Sequence, residues 1–134
     1  MTHYCELPDY VENSELKQHF IDYLIYYSNN TDKENIYYSL NELLELSDRQ
    51  WHTYELIDEE VKEQLEKYLT SLINFEDEEI MDYILNIIPR IGLDKLFDYI
   101  IKNRNNIKNQ NIKLNIDESI AEYGNSVNNP YSGM

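Results

Sequence analysis

The sequence has little from which to build bridges, tight turns or phosphate loops. It contains one cysteine, three glycines and three prolines. A single cysteine, Cys5, forbids an internal disulfide, so a reducing, cytoplasmic setting is the expectation. Gly92, Gly124 and Gly133 are too few and too scattered to form a glycine-rich phosphate cradle. Asn-Gly and Asp-Gly are absent, and no segment alternates strictly between apolar and polar residues, so β-hairpins are not expected. No run of about 18 apolar residues occurs, which argues against a transmembrane helix. The opening residues, Met1 to Glu6, show no basic stretch followed by an apolar one, so no secretory leader is expected.

Basic residues are also scarce. Eleven lysines and arginines face 26 acidic residues, for a net charge of −15. Such a field repels nucleic acid and anionic membrane, and it speeds association with basic partners. Residues 1–67 carry −11 of this charge and residues 68–134 carry −4. From Tyr83 to Ile116 the balance reverses, with Asp94 and Asp98 set against Arg90, Lys95, Lys102, Arg104, Lys108 and Lys113. The molecule should therefore have an acidic end and a nearly neutral one.

What the chain does contain is helix-forming sequence. With 42% hydrophobic and 28% charged residues, 134 positions suit one globular domain with its own core. Residues 1–12, with Pro8, read as an irregular arm. Leu16, Phe20, Tyr23, Leu24 and Tyr27 recur at helical spacing and predict a first helix from Asn13 or Ser14 to about Tyr27. Asn29-Asn30 interrupts it. Thr31-Asp32-Lys33-Glu34 has the form of a capping box and opens a second helix to about Leu46, burying Ile36, Leu40, Leu43 and Leu44. Ser47 to Ile57 fits either a short helix or an extended connector.

Asp58-Glu59-Glu60 puts acid in the first turn of a third helix, which runs to about Ile73 with Val61, Leu65, Tyr68, Leu69 and Leu72 inward. Glu76 to Glu79 starts a fourth helix in the same way. Its apolar residues, from Ile80 to Ile88, lie almost all round, which predicts a central position. Pro89 and Gly92 should end it. A fifth helix is expected from about Leu93 to Lys102, and a sixth from Asn111 or Asn115 to Tyr123, closed by Gly124. Residues 125–134 read as a flexible tail. The fold class is therefore all-α, with about six helices as three antiparallel hairpins, in a stack or an irregular bundle.

Catalytic patterns are poorly represented. Cys5 and the scattered His3, His19 and His52 form no nucleophile–base arrangement. His3 and Cys5 alone do not make a zinc site. Glu59, Glu63 and Glu66 share one helix face, as do Glu78 and Asp82, but no Glu-x-x-His accompanies them, so a solvated face is the better reading. The run Glu76 to Glu79 lacks the ligand spacing and central glycine of a calcium loop. No cofactor, no metal and no enzymatic activity are expected.

The aromatic residues point elsewhere. Tyr26-Tyr27 and Tyr37-Tyr38 are adjacent pairs, so a helix cannot bury both members of either. With Tyr27 and Tyr37 inward, Tyr26 and Tyr38 should face out. Trp51 and Tyr54 lie in the uncertain connector beside Glu55, Asp58, Glu59 and, one turn on, Glu63. Exposed aromatics ringed by carboxylates have the composition of a protein-binding hot spot with a polar rim. Tyr38, Trp51, Tyr54, Glu55, Asp58, Glu59 and Glu63 are accordingly the candidate partner-binding residues. The competing role for Trp51 is to anchor the connector to the core. A nucleic-acid platform would need basic residues between the aromatics, and these are absent.

The strings Ile84-Leu85-Asn86-Ile87-Ile88-Pro89-Arg90-Ile91-Gly92 and Asp117-Glu118-Ser119-Ile120-Ala121-Glu122-Tyr123-Gly124 resemble second helices of HEAT-type repeats, and Val61 to Tyr123 resembles a degenerate HEAT array. That resemblance implies a HEAT-like stack. In size, acidity and richness in isoleucine and asparagine, the chain is also similar to bacterial immunity proteins of contact-dependent and polymorphic toxin systems. The second resemblance implies a partner: a cognate protein toxin, in particular a basic nuclease domain. Alternatives are a phage-type acidic inhibitor that mimics DNA to block a defence nuclease, and a HEAT-like protein-binding scaffold.

Overall fold

Apolar residues at every third or fourth position each need a partner surface, and six helices supply it for one another. The computed structural model describes residues 4–8, 10–28, 33–123 and 127, with the side chains of 5, 33 and 34 left aside. The helices are α1 (Asn13–Ser28), α2 (Lys33–Trp51), α3 (Glu59–Leu72), α4 (Glu78–Ile91), α5 (Asp94–Asn103) and α6 (Gln110–Tyr123), with 3-10 turns at Tyr4–Glu6 and Arg104–Asn106. There is no strand among the described residues.

The helices pack in two layers. α1 packs on α3 and α3 on α5, while α2 packs on α4 and α4 on α6. α1 with α2 and α3 with α4 close hairpins across the layers. α5 also packs on α4, whereas α6 returns to α4 rather than to α5. Among the described residues the fold is all-α with six helices, as expected. α4 packs against α2, α3, α5 and α6, and buries Ile80, Met81, Ile84, Leu85, Ile87, Ile88 and Ile91. Side chains of this kind, fully buried, contribute about 1.5–3 kcal/mol each.

Local chemistry sets the ends. Asp58 caps α3 by accepting the Val61 N–H at 3.2 Å, and Asp77 caps α4 by accepting the Ile80 N–H at 3.0 Å. Gly92 closes α4 in the left-handed region, φ 70°, donating to Ile88 O at 2.8 Å. Pro89 does not end α4: the helix runs two residues further, because only one backbone donor is lost so near its end.

Several expectations change. Ser47 to Trp51 is neither connector nor separate helix but the last turn and a half of α2. Leu46, Ser47 and Gln50 are buried and continue the inward stripe, and Ser47 Oγ donates to Leu43 O at 2.7 Å, which satisfies the hydroxyl within the helix. Tyr37 is not a core residue. It is exposed like Tyr38, and its hydroxyl donates to the Asp77 carboxylate. Glu66 is not on a solvated face. It is buried, and accepts the Leu96 N–H at the start of α5 at 2.8 Å. In the N-terminal segment Tyr4 is buried, its N–H donates to buried Glu42 at 2.8 Å, and Arg49 holds Leu7 O at 3.1 Å. Val127 is likewise buried. The expected breaks and caps at Asn29-Asn30, Thr31-Asp32 and Gly124, and the expected role of His3, lie outside the described residues, as does that of the Cys5 thiol.

Candidate functional site

The carboxyl end of α2 and the turn that follows build the most exposed aromatic feature near the acidic helix ends. Past Trp51 the backbone winds down through three bonds: His52 N–H to Asp48 O, Thr53 N–H to Gln50 O and Tyr54 N–H to Trp51 O, at 3.1–3.3 Å. Gln50 fixes this turn from inside. Its buried amide reaches Asn13 Oδ1 at 2.8 Å and Glu55 O at 2.9 Å, tying the connection to the start of α1. Thr53 Oγ1 donates to Gln50 O and accepts the Glu55 N–H.

Tyr54 leaves this scaffold with φ 58°, the one non-glycine residue in the left-handed region among the described residues. A residue with a Cβ resists that conformation by about 1–2 kcal/mol. The turn projects its ring outward, 63% exposed, beside Trp51 with centroids 6.3 Å apart. Trp51 is half-buried and meets His52 edge-on at 5.4 Å. Leu56, which the sequence reading passed over, is 59% exposed. The signal was its neighbour: Ile57 is buried, and successive residues in an extended connection face opposite ways.

The remaining candidates divide. Glu55, Glu59 and Glu63 are exposed, and the last two stand one turn apart on the outer face of α3. Asp58 is instead occupied as the α3 cap and pairs with Lys17 at 3.4 Å. The Val61 N–H first, with the Lys17 ammonium helping, holds its carboxyl below the usual range. Tyr38 is not part of this group. It lies thirteen positions before Trp51 on α2, about 20 Å along the helix. The acidic stretch is also split between layers, with Glu59, Glu60 and Glu63 exposed on α3 and Glu78, Glu79 and Asp82 exposed on α4.

The site offers contact area, hydrogen-bond acceptors and negative charge. Among the described residues no group of three or more His, Cys, Asp or Glu is placed to hold a metal ion, and no helix is long and apolar enough to cross a membrane. Nδ1 of His52 lies 2.7 Å from Asp48 O within its own helix end. No protein-family model, curated protein or solved structure matches this chain.

Proposed function

We propose that this chain is an immunity protein, an inhibitor that binds and neutralises a cognate toxin domain of the basic nuclease class. The observation that carries the reading is the Trp51–Tyr54–Leu56 surface. Two aromatics and a leucine are displayed on a hydrogen-bonded turn, with Tyr54 held in a disfavoured conformation, and Glu55, Glu59 and Glu63 form its rim. Strained backbone clusters at functional sites, and Tyr54 is such a residue. A nuclease presents a positive cleft for its substrate, and an acidic surface with an aromatic centre complements it and is steered to it. DNA mimicry is less well supported, because it needs two rows of carboxylates on one face, and the exposed rows here lie on α3 and α4, in different layers.

The test is binding to the protein encoded by the adjacent upstream gene, with inhibition of its nuclease activity as readout. Micromolar or tighter binding that abolishes cleavage is expected. Trp51→Ala or Tyr54→Ala should each weaken the complex by about 2 kcal/mol or more, and Glu59→Lys should mainly slow association. Absence of binding at micromolar concentration would count against the proposal. So would a complex indifferent to Trp51 and Tyr54 but abolished by neutralising Lys102 and Lys108.

A further inference from the structure

Where the carboxyl end of α1, the amino-terminal half of α2 and the carboxyl half of α3 meet, the packing leaves a cavity of about 440 Å³. This is in the range of small-molecule sites. Its apolar wall is Leu24, Ile25, Tyr27, Ile36, Tyr68 and Leu72. The polar side chains around it are serines, Asn35, Gln64 and Lys67.

The charge of the lining runs against the rest of the molecule. The chain carries 26 acidic side chains, and none of those on the described residues lines this cavity. Among the described residues Lys67 is the only charged one in the lining. Its ammonium forms no ion pair among the described residues, although the net charge is −15. Gln64 stands one turn before it on the same face of α3, so an amide donor and an ammonium are neighbours at the rim. Deeper in, the Ser39 hydroxyl donates to Ile36 O at 2.9 Å and accepts from the Tyr68 hydroxyl at 3.3 Å. It therefore has no proton to spare for a ligand, and the donors left are the Tyr27 hydroxyl, buried and unpartnered among the described residues, and the amide and ammonium at the rim.

We infer that this cavity is a binding site for a small carboxylate with an apolar body: the body lies against Tyr27, Ile36, Tyr68 and Leu72, and the carboxylate meets Lys67 and Gln64. A cation finds no counter-charge among the described lining residues, and a sugar or nucleotide would leave most of its polar groups facing hydrocarbon. The site shares no residue with the Trp51–Asp58 surface, so it stands or falls independently of the inhibitor reading.

The probes are 2-naphthoate and 2-naphthol, which share one ring system and differ in charge at neutral pH, titrated calorimetrically into the intact chain. One-to-one binding of 2-naphthoate is expected, with a dissociation constant of about 1 mM or tighter, and weaker binding of 2-naphthol. Lys67 and Ser71 are both exposed, so replacing them spares the core. Lys67→Gln should weaken 2-naphthoate by about fivefold without changing 2-naphthol, and Lys67→Arg should restore it. Ser71→Trp, which puts an indole into the lining, should remove both. Failure of 2-naphthoate to saturate below 10 mM, or saturation unaffected by Ser71→Trp, overturns the site. Equal binding of naphthoate and naphthol, or indifference to Lys67→Gln, overturns the assignment of a carboxylate.

Discussion

Glu66 is a carboxylate in a place from which water is largely excluded. Burial, opposed in part by the Leu96 N–H and the Lys62 ammonium, raises its pKa above the usual 4.5. A raised folded-state value means that the native protein holds this proton more tightly than the unfolded chain does. The stabilisation is complete below the unfolded pKa and is lost as pH rises through the folded one. Glu66→Gln keeps an acceptor for the Leu96 N–H and removes the buried charge, so its stability relative to wild type should improve between pH 4 and pH 7, as read by urea unfolding. Glu66→Ala leaves that N–H unpaired and should cost about 1–3 kcal/mol. If the two variants behave alike, the hydrogen bond to α5 does not contribute.

Tyr54 is the complementary case. Tyr54→Gly relieves the left-handed backbone and should raise stability by up to about 1 kcal/mol. The same change removes the displayed ring, so under the inhibitor reading it weakens the complex. A stabilised protein that binds less well separates a functional tyrosine from a structural one. A destabilised one would mean that the contact with Trp51 holds the turn.

At the scale of elements, what the sequence made legible was local. The third, fourth and sixth helices fell where apolar periodicity placed them, and Asp58 and Gly92 acted as the cap and stop that their chemistry suits. The α2–α3 connection was not legible, because Ser47-Asp48 has the composition of a helix start. What overrode it was tertiary: Gln50 is buried against Asn13, thirty-seven positions earlier, and no local pattern announces such a bond. Glu66 was misplaced for the same reason, since its partner is a backbone donor on another element. Gln50→Ala should therefore act beyond its own helix. It should lower stability by about 1–3 kcal/mol and speed amide exchange across residues 52–58, with little change in α4. Uniform acceleration throughout the chain would show that the turn has no separate stability.

For the whole molecule, charge is shared unevenly among the helices. The hairpin of α3 and α4 holds nine acidic and three basic residues between Glu59 and Ile91, while the span from Asp94 to Tyr123 holds five of each. Arg104 and Asp117 close that neutral end with two bonds of 2.6 Å. The remaining carboxylates repel one another, and that repulsion disfavours the compact state. Sodium chloride screens it, with a Debye length near 10 Å at 0.1 M. Raising salt from 10 mM to 300 mM should therefore raise the melting temperature of the free protein by a few degrees. A triple variant, Glu55→Lys, Glu59→Lys and Glu63→Lys, takes the net charge from −15 to −9, so it should start more stable and gain less from salt. The same salt should slow association with a basic partner by about tenfold or more. One charge distribution thus predicts opposite signs in two measurements. A melting temperature indifferent to salt would mean that the exposed carboxylates act singly. The steering of a basic partner would then lose its physical basis.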